Sequence, residues 1–178
     1  MKEYKKFVLP ISILIVIDQV VKLFIKKYLF DIQIDFIEGI IGFYPKINTN
    51  QSWGGNYISI LANPMVANLL IIFCFFIIIT GYQFYRSKNK KESRSVKLIY
   101  IFLMAGTICS LIDKVFWGGS LDFLRIPGLF IFDLKDCYLT IGEILFVVIG
   151  IKYNKHIDVK EYMRFIYLSV KKQRKNVN

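Results

Sequence analysis

The chain has 178 residues, of which 55% are hydrophobic and 16% aromatic, and it carries a net charge of +11. Its mean hydropathy of +0.47 is too apolar for an ordinary soluble domain, and its length allows one domain or at most two. The cysteines Cys74, Cys109 and Cys137 and the single histidine, His156, lack the spacing of a structural zinc site or a paired disulfide framework. The composition therefore disfavours a disordered chain, a zinc enzyme and a Ser-His-Asp hydrolase.

The basic residues are concentrated in three stretches that separate long apolar runs. Seventeen of the 24 Lys and Arg residues lie near the N-terminus, between Arg86 and Lys97, or between Lys152 and Lys175. This distribution is typical of a membrane protein whose basic loops stay in the cytoplasm. Because no nucleic-acid motif accompanies the charge, we expect contact with membrane phospholipid and no nucleic-acid binding.

Four apolar segments are long enough, or nearly long enough, to cross a bilayer. They cover about residues 7–29, 64–85, 98–117 and 137–153 of a single integral membrane domain, residues 1–178. The sequence predicts an all-α membrane protein with four transmembrane helices. With an even number of crossings, both termini and a basic tail (154–178) are expected in the cytoplasm.

Residues 30–63, between the first two spans, are predicted to form an extracytoplasmic insert. Phe30, Ile32, Ile34 and Phe36 alternate with polar residues, and this period of two predicts a short strand with one face against apolar material. Glycines and a proline then separate further short extended pieces. We therefore expect a small β-sheet on the outer surface.

Ionisable residues inside the predicted spans require partners or a function, because a charge at the centre of a bilayer is costly. Asp18 and Lys22 are four residues apart and share a helix face, so they can form an ion pair. Asp113 and Lys114 are adjacent and point in different directions, so we expect them to have different partners.

Asp122 and Asp136 are the first candidates for catalysis. One follows the outer end of the third span and the other begins the fourth, so both are expected at the same depth on the same side of the membrane. Two close carboxylates share a proton, so that one activates water while the other donates a hydrogen bond. Asp133 and Glu143 are further candidates, and spacing alone does not choose among them.

Ser110 and Lys114 offer a different nucleophile. They are four residues apart on one helix face, which is compatible with a serine-lysine dyad. Such pairs are also common by chance, so spacing alone is weak support.

Four short blocks resemble, in order, those of the bacterial lipoprotein signal peptidases (signal peptidase II). The first block, Ile17-Asp18-Gln19-Val20-Val21-Lys22, is similar to the family's Asp-Gln-x-x-Lys, and the second, Asn48-Thr49-Asn50-Gln51-Ser52-Trp53-Gly54, is similar to Asn-x-Gly-Ala-Ala-Phe. The third has two parts: Ser110-Leu111-Ile112-Asp113-Lys114 is similar to Asn-Leu-x-Asp-Arg, and Gly119-Ser120-Leu121-Asp122-Phe123 is similar to Gly-x-Val-Val-Asp-Phe. The fourth, Phe132-Asp133-Leu134-Lys135-Asp136, is similar to Phe-Asn-x-Ala-Asp. The resemblance extends over nearly the whole chain.

The resemblance implies an aspartic endopeptidase of the bacterial plasma membrane, with its active site at the outer face. It implies removal of the signal peptide from diacylglyceryl-modified prolipoproteins just before the lipidated cysteine, without a metal or other cofactor, and inhibition by globomycin. By position, the catalytic aspartates are Asp122 and Asp136. The supporting polar positions are Asp18, Lys22, Asn48, Ser110, Lys114 and Asp133.

Three of these supporting positions depart from the family pattern. Ser110 stands where Asn is usual, Lys114 where Arg is usual, and Asp133 where Asn is usual. Lysine loses the planar fork of arginine. Asp133 adds a third carboxylate, which is expected to raise the carboxyl pKa values nearby, with Lys114 or Lys135 as possible counter-charges. These changes predict a divergent member with an altered substrate range or pH optimum.

Two other functions remain open. A catalytically silent membrane protein that binds lipoproteins or lipid would use its polar residues to hold helices together. A small transporter is disfavoured because the chain has few spans and no internal repeat. A monomer is expected.

Overall fold

The computed structural model describes residues 4–49, 58–89, 91, 93–153 and 158–177. In these ranges the helices are α1 (Lys5–Tyr28), α2 (Pro64–Lys88), α3 (Arg94–Ile112), α4 (Leu134–Tyr153) and α5 (Val159–Val177), and the strands are β1 (Ile34–Ile37), β2 (Ile41–Asn48), β3 (Ser120–Ile126) and β4 (Phe130–Phe132). A short 3₁₀ helix (Ser59–Ala62) precedes α2, and a π-helical turn (Asp113–Trp117) extends α3. Trp53 and the other residues of the second block after Thr49, together with His156, lie outside the described residues.

The chain is mostly helical with a small antiparallel sheet, as predicted. Three helical segments, α1, α2 and α3 with its π turn, are long and apolar enough to cross a membrane. Many of their large apolar side chains face outward, including those of Leu9, Met65 and Phe73. The 20-residue α4 occupies the fourth predicted segment but also carries four charged residues, so its crossing stays a prediction.

Helix α3 is the centre of the bundle and packs against α1, α2 and α4. Near the cytoplasmic side predicted above, the ring of Tyr100 packs against Phe7 of α1 and Tyr82 of α2, at centroid distances of 4.8 Å and 4.6 Å. Such aromatic pairs add stability beyond the area they bury.

Two glycines allow α3 and α4 to approach closely. A Cβ atom on Gly106 of α3 would lie 2.6 Å from Cγ of Leu139, and one on Gly142 of α4 would lie 2.7 Å from Cδ2 of Leu103. Each helix therefore receives a leucine of the other where it lacks a side chain. Small residues at such contacts are typical of helix packing in membranes.

The sheet has the strand order β1-β2-β3-β4, with all neighbours antiparallel. Its two halves come from different parts of the chain, so the predicted insert 30–63 supplies only β1 and β2. All four residues of β1 are exposed at the sheet edge, and the ring of Phe36 lies 6.4 Å from that of Phe43 in β2 between centroids, an apolar contact on one face of the strand. The pairing of β2 with β3 places Asn48 opposite Ser120.

The predicted basic tail forms a helix, α5, that packs on the end of α2. The hydroxyl of Tyr162 lies 2.5 Å from that of Thr80, its ring contacts Phe84, and Glu161 forms an ion pair with Lys88. This contact gives the tail a defined position against the bundle.

We predict that Gly106→Ala destabilises the bundle. The added methyl group would meet Leu139 and the carbonyl oxygen of Lys135, 3.1 Å away, and overpacking of this kind costs about 1–3 kcal/mol. The measurement is the free energy of unfolding in detergent micelles. Gly81→Ala in α2 is the matched control, because nothing lies within 4 Å of its Cβ position. Equal effects of the two substitutions would contradict the close approach of α3 and α4.

Candidate active site

Polar side chains from four elements converge where α1, the end of α3 and the start of α4 meet the sheet. The residues are Asp18, Gln19 and Lys22 of α1, Asp113 of the π turn, Ser120 and Asp122 of β3, and Asp133, Lys135 and Asp136 at the start of α4. Asn48, at the end of β2, joins them from the sheet.

The innermost part of this group is a buried ionic cluster, which we call the Lys22 centre: Asp18, Lys22, Asp113 and Asp133. The Lys22 ammonium lies 2.9 Å from Asp18, 2.6 Å from Asp113 and 2.8 Å from Asp133, and all four side chains are 0% exposed. The predicted pair of Asp18 and Lys22 is therefore present, and Lys22 has two further partners from distant parts of the chain.

Gln19 and Trp117 support this centre. The amide nitrogen of Gln19 donates to Asp18 at 2.9 Å and to Asp113 at 3.3 Å. The indole N–H of Trp117 donates to the amide oxygen of Gln19 at 3.2 Å. These bonds give the carboxylates of Asp18 and Asp113 a donor in addition to Lys22, as expected for buried polar groups.

The π turn at the end of α3 sets the direction of Asp113 and Lys114. A π turn wraps the backbone more widely than an α-helix and often occurs at functional sites. It ends at Gly118, which has a φ of +67°, a backbone conformation that favours glycine. A Cβ on the next residue, Gly119, would lie 2.5 Å from the Asn48 carbonyl oxygen, so the chain enters β3 in direct contact with the end of β2.

Ser110 and Lys114 are paired with each other. The Lys114 ammonium donates to the Ser110 hydroxyl at 3.5 Å, the upper limit for a hydrogen bond. Lys114 also acts electrostatically on Asp122 and Asp136. Ser110 and Lys114 thus lie one helical turn apart on the same face at the end of α3.

The start of α4 is held by a reciprocal capping arrangement. The backbone N–H of Asp136 donates to the Asp133 carboxylate at 3.1 Å, and the N–H of Asp133 donates back to the Asp136 carboxylate at 3.2 Å. The N–H of Lys135 donates to Asp18 at 3.1 Å. This is the geometry of a capping box, with an aspartate in the third position, and it orients Asp136.

Asp122 and Asp136, the predicted catalytic aspartates, lie together but in different environments. Oxygens of the Asp122, Asp133 and Asp136 carboxylates lie within 4.8 Å of one another. Asp122 accepts hydrogen bonds from the Ser120 hydroxyl at 2.6 Å and from the Asn48 amide at 3.2 Å. Its side chain is 7% exposed, whereas that of Asp136 is 41% exposed. One carboxylate is therefore held inside, and the other faces an open surface.

The third carboxylate, Asp133, is ion-paired with two lysines, Lys22 and Lys135. Burial alone would raise its pKa, but Lys135 and Lys22 outweigh that effect and hold the pKa of Asp133 at about 2. Burial raises the pKa of Asp122, Lys135 opposes the rise, and the charge of Asp133 adds to it. The expected effect of Asp133 on its neighbours is therefore present for Asp122, and Lys135 is the closer of the two suggested counter-charges.

The three carboxylates are also close enough to share a metal ion, but a lysine occupies the same region. The Lys135 ammonium lies 2.5 Å from Asp133 and 3.7 Å from both Asp122 and Asp136. A metal ion bound by these three groups would meet that positive charge at close range.

Sequence reasoning did not assign a role to Ser120 or a partner to Asp113. Ser120 is two residues before Asp122 in β3, so the period of a strand places both side chains on one face, and this signal was available. The contacts of Asp113 with Lys22 and Lys135 span more than twenty residues and had no local signal.

We predict that Lys22→Met strongly destabilises the protein. It would leave three buried carboxylates without their shared cation, and breaking a buried ion pair in this way costs about 3–5 kcal/mol. The free energy of unfolding in detergent measures the effect. Lys88→Met is the control, because the exposed pair of Lys88 with Glu161 is expected to contribute about 1 kcal/mol or less. A similar small loss for both variants would contradict the central role of Lys22.

Several known proteins are similar in sequence to this chain. The lipoprotein signal peptidase of Caldicellulosiruptor bescii is 26% identical over 142 residues, which cover 77% of this chain and 85% of that protein. The lipoprotein signal peptidase of Fusobacterium nucleatum is 35% identical over 80 residues (43% of this chain, 48% of that protein), and that of Streptococcus thermophilus is 33% identical over 82 residues (42% and 54%). In the last two cases the matched region spans about half the length of the relative.

Two solved structures, both described as bacterial membrane enzymes, share the fold. One has a TM-score of 0.66 and 21% identity and covers 87% of this chain and 93% of its own. The other has a TM-score of 0.63 and 23% identity, with coverage of 81% and 91%. At this level of identity the likeness concerns the fold.

The family model described as signal peptidase (SPase) II matches residues 11–152. This range includes most of α1, the whole sheet, the Lys22 centre, and both Asp122 and Asp136. The chain therefore belongs to the signal peptidase II family.

Proposed function

We propose that this protein is an aspartic endopeptidase that removes the signal peptide from diacylglyceryl-modified prolipoproteins, cutting just before the lipidated cysteine. The observation that carries the proposal is the proximity of Asp122 and Asp136, with carboxylate oxygens within 4.8 Å, in a chain of the signal peptidase II family. The names of the similar proteins support the substrate class.

The different environments of the two aspartates, one buried and one exposed, support a general acid-base hydrolysis. One proton is shared by the pair, so one carboxylate takes a proton from water while the other carboxyl donates to the substrate carbonyl oxygen. The water oxygen bonds to the carbonyl carbon. As the C–N bond then breaks, the carboxyl that took a proton from water gives it to the leaving amine, and the proton on the former carbonyl oxygen returns to the other carboxylate as the C=O bond re-forms. Because coupled carboxyls titrate together, the pair is the functional unit.

The position of the pair suits a substrate that arrives from the membrane. Asp122 and Asp136 lie where the apolar helices meet the sheet, and the exposed carboxylate of Asp136 is the accessible member. In the proposed orientation the termini are cytoplasmic and this end of the bundle is at the outer face of the plasma membrane. The lipid of the substrate then sets the depth at which the peptide bond is cut, and a monomer is sufficient for the reaction.

We predict that Asp122→Asn and Asp136→Asn each abolish cleavage. Losing a general acid or base lowers the rate by about 10²–10⁴-fold. The measurement is a gel-shift assay with a diacylglyceryl prolipoprotein and purified protein. Asp31→Asn is the control, because Asp31 is an exposed aspartate in the turn after α1. Normal turnover by either dyad variant would end the proposal.

The same assay tests the alternatives. Ser110 and Lys114 are in contact at 3.5 Å, which is the observation that favours a serine-lysine dyad. If the aspartic mechanism is correct, the Ser110→Ala variant still cleaves the prolipoprotein. A Ser110→Ala variant without any cleavage, together with active Asp122→Asn and Asp136→Asn variants, would favour the serine-lysine dyad. A wild-type protein that binds the lipidated peptide but never releases the signal fragment would support a silent binding protein instead.

We also predict inhibition by globomycin. Adding it to the wild-type gel-shift assay should prevent appearance of the processed lipoprotein, because the inhibitor is expected to occupy the site of Asp122 and Asp136. The processed product would be followed over a range of inhibitor concentrations. Undiminished cleavage at a large molar excess of globomycin would contradict this prediction.

A further inference from the structure

Lys135 is a buried cation at the start of α4, where a positive charge is not expected. The N-terminus of a helix carries a partial positive charge, so a lysine there is electrostatically unfavourable without compensation. Lys135 is 4% exposed, and its ammonium lies 2.5 Å from Asp133, 3.4 Å from Asp113, and 3.7 Å from both Asp122 and Asp136. The surrounding carboxylates provide that compensation.

Asp133 is the closest counter-ion of Lys135. In the family block that this segment resembles, Phe-Asn-x-Ala-Asp, the positions of Asp133 and Lys135 carry Asn and Ala. This chain has thus gained one negative and one positive charge, two residues apart, and the two charges meet in the structure. The net charge of the site is unchanged by the two replacements together.

Ser120 connects this ion pair to the catalytic aspartates. The Lys135 ammonium donates to the Ser120 hydroxyl oxygen at 2.6 Å. A hydroxyl has one proton, and three carboxylates lie within its reach: Asp122 at 2.6 Å, Asp133 at 3.1 Å and Asp113 at 3.2 Å. Since Lys135 uses a lone pair of the oxygen and Asp122 is the nearest acceptor, the hydroxyl proton is directed to Asp122.

We propose that Lys135 is a positioning residue for the aspartate pair, with Asp133 as its matched counter-ion and Ser120 as its link to Asp122. This inference rests on the proposed function of Asp122 and Asp136. It assigns a joint role to Asp133 and Lys135, because each compensates the charge of the other. The two charges together therefore have little net electrostatic effect on the ionisation of Asp122 and Asp136.

The electrostatic surroundings give the sign of each substitution. The charged groups around Lys135 are Asp18 and Lys22 of α1, Asp113 and Lys114 of the π turn, Asp122 of β3, and Asp133 and Asp136 at the start of α4. Removing the Lys135 cation makes ionisation of the aspartate pair harder. Removing the Asp133 anion makes it easier.

The test is the pH dependence of prolipoprotein cleavage by Lys135→Met, Asp133→Asn and the double variant. We expect the acidic limb of the profile to move to higher pH in Lys135→Met and to lower pH in Asp133→Asn, by about one pH unit each. In the double variant the limb should return close to its wild-type position. Asparagine at 133 can still cap α4, and methionine keeps most of the lysine volume, so both changes act mainly on charge.

The chain contains a matched control at α5. Asp158, Val159 and Lys160 repeat the Asp-x-Lys arrangement of residues 133–135, with the Lys160 N–H donating to Asp158 at 2.9 Å, but both residues are exposed. Asp158→Asn, Lys160→Met and their double variant should leave the pH profile unmoved. The inference is supported if the acidic limb of the pH profile moves in opposite directions in Lys135→Met and Asp133→Asn and stays in place in the variants of Asp158 and Lys160. It is overturned if Lys135→Met and Asp133→Asn lose equal activity and the limb does not move in either.

The unfolding temperatures of the same variants separate this inference from the proposed function. If the pair is a unit, each single change at 133 or 135 lowers the unfolding temperature in detergent, and the double change recovers part of the loss. If the double variant lowers the unfolding temperature by the sum of the two single effects, the pairing of Asp133 with Lys135 is overturned. If the wild-type protein cleaves no prolipoprotein, the proposed function fails, while this thermal cycle still decides whether Asp133 and Lys135 are coupled.

Discussion

The Lys22 ammonium, buried among three carboxylates, is the interaction on which the rest of the site depends. Removing charged groups from water costs several kcal/mol each, so none of the four can be buried unless all are brought together. Asp18 is on the same helix as Lys22, but Asp113 comes from the end of α3 and Asp133 from the start of α4. The need to pair these charges fixes where the three elements meet.

This meeting point sets the positions of Asp122 and Asp136, the two proposed catalytic aspartates. Asp133 caps α4 and exchanges backbone hydrogen bonds with Asp136, so the helix that carries Asp136 starts at the Lys22 centre. Asp122 is reached through Ser120, whose hydroxyl lies between it and Lys135. Exposure increases outward from 0% at Lys22 to 7% at Asp122 and 41% at Asp136. A buried ionic cluster thus lies beneath the exposed carboxylate of Asp136.

The departures from the family pattern are easier to understand in this setting. Asp133 adds a charge next to the aspartate pair, which by itself would disfavour ionisation there. In the structure it lies between two lysines, Lys22 and Lys135, and its pKa is held at about 2. The charge at 133 is therefore paired, in part, with the charge at 135. Ser110 and Lys114 lie one helical turn apart and interact with each other, and nothing in the structure explains why they stand where the family has Asn and Arg.

The sequence by itself determined the membrane class, the approximate positions of the helices and the ion pair of Asp18 with Lys22, and its short blocks named Asp122 and Asp136 as the candidate catalytic pair by resemblance to a family. These depend on local periodicity, on hydropathy or on short blocks of residues, all of which can be read along the chain. Only the tertiary structure decided that Lys22 also binds Asp113 and Asp133, that half of the sheet comes from residues 120–132, and that Lys135 contacts Ser120. Such contacts join residues that no helical or strand period relates, because they arise from how the elements pack.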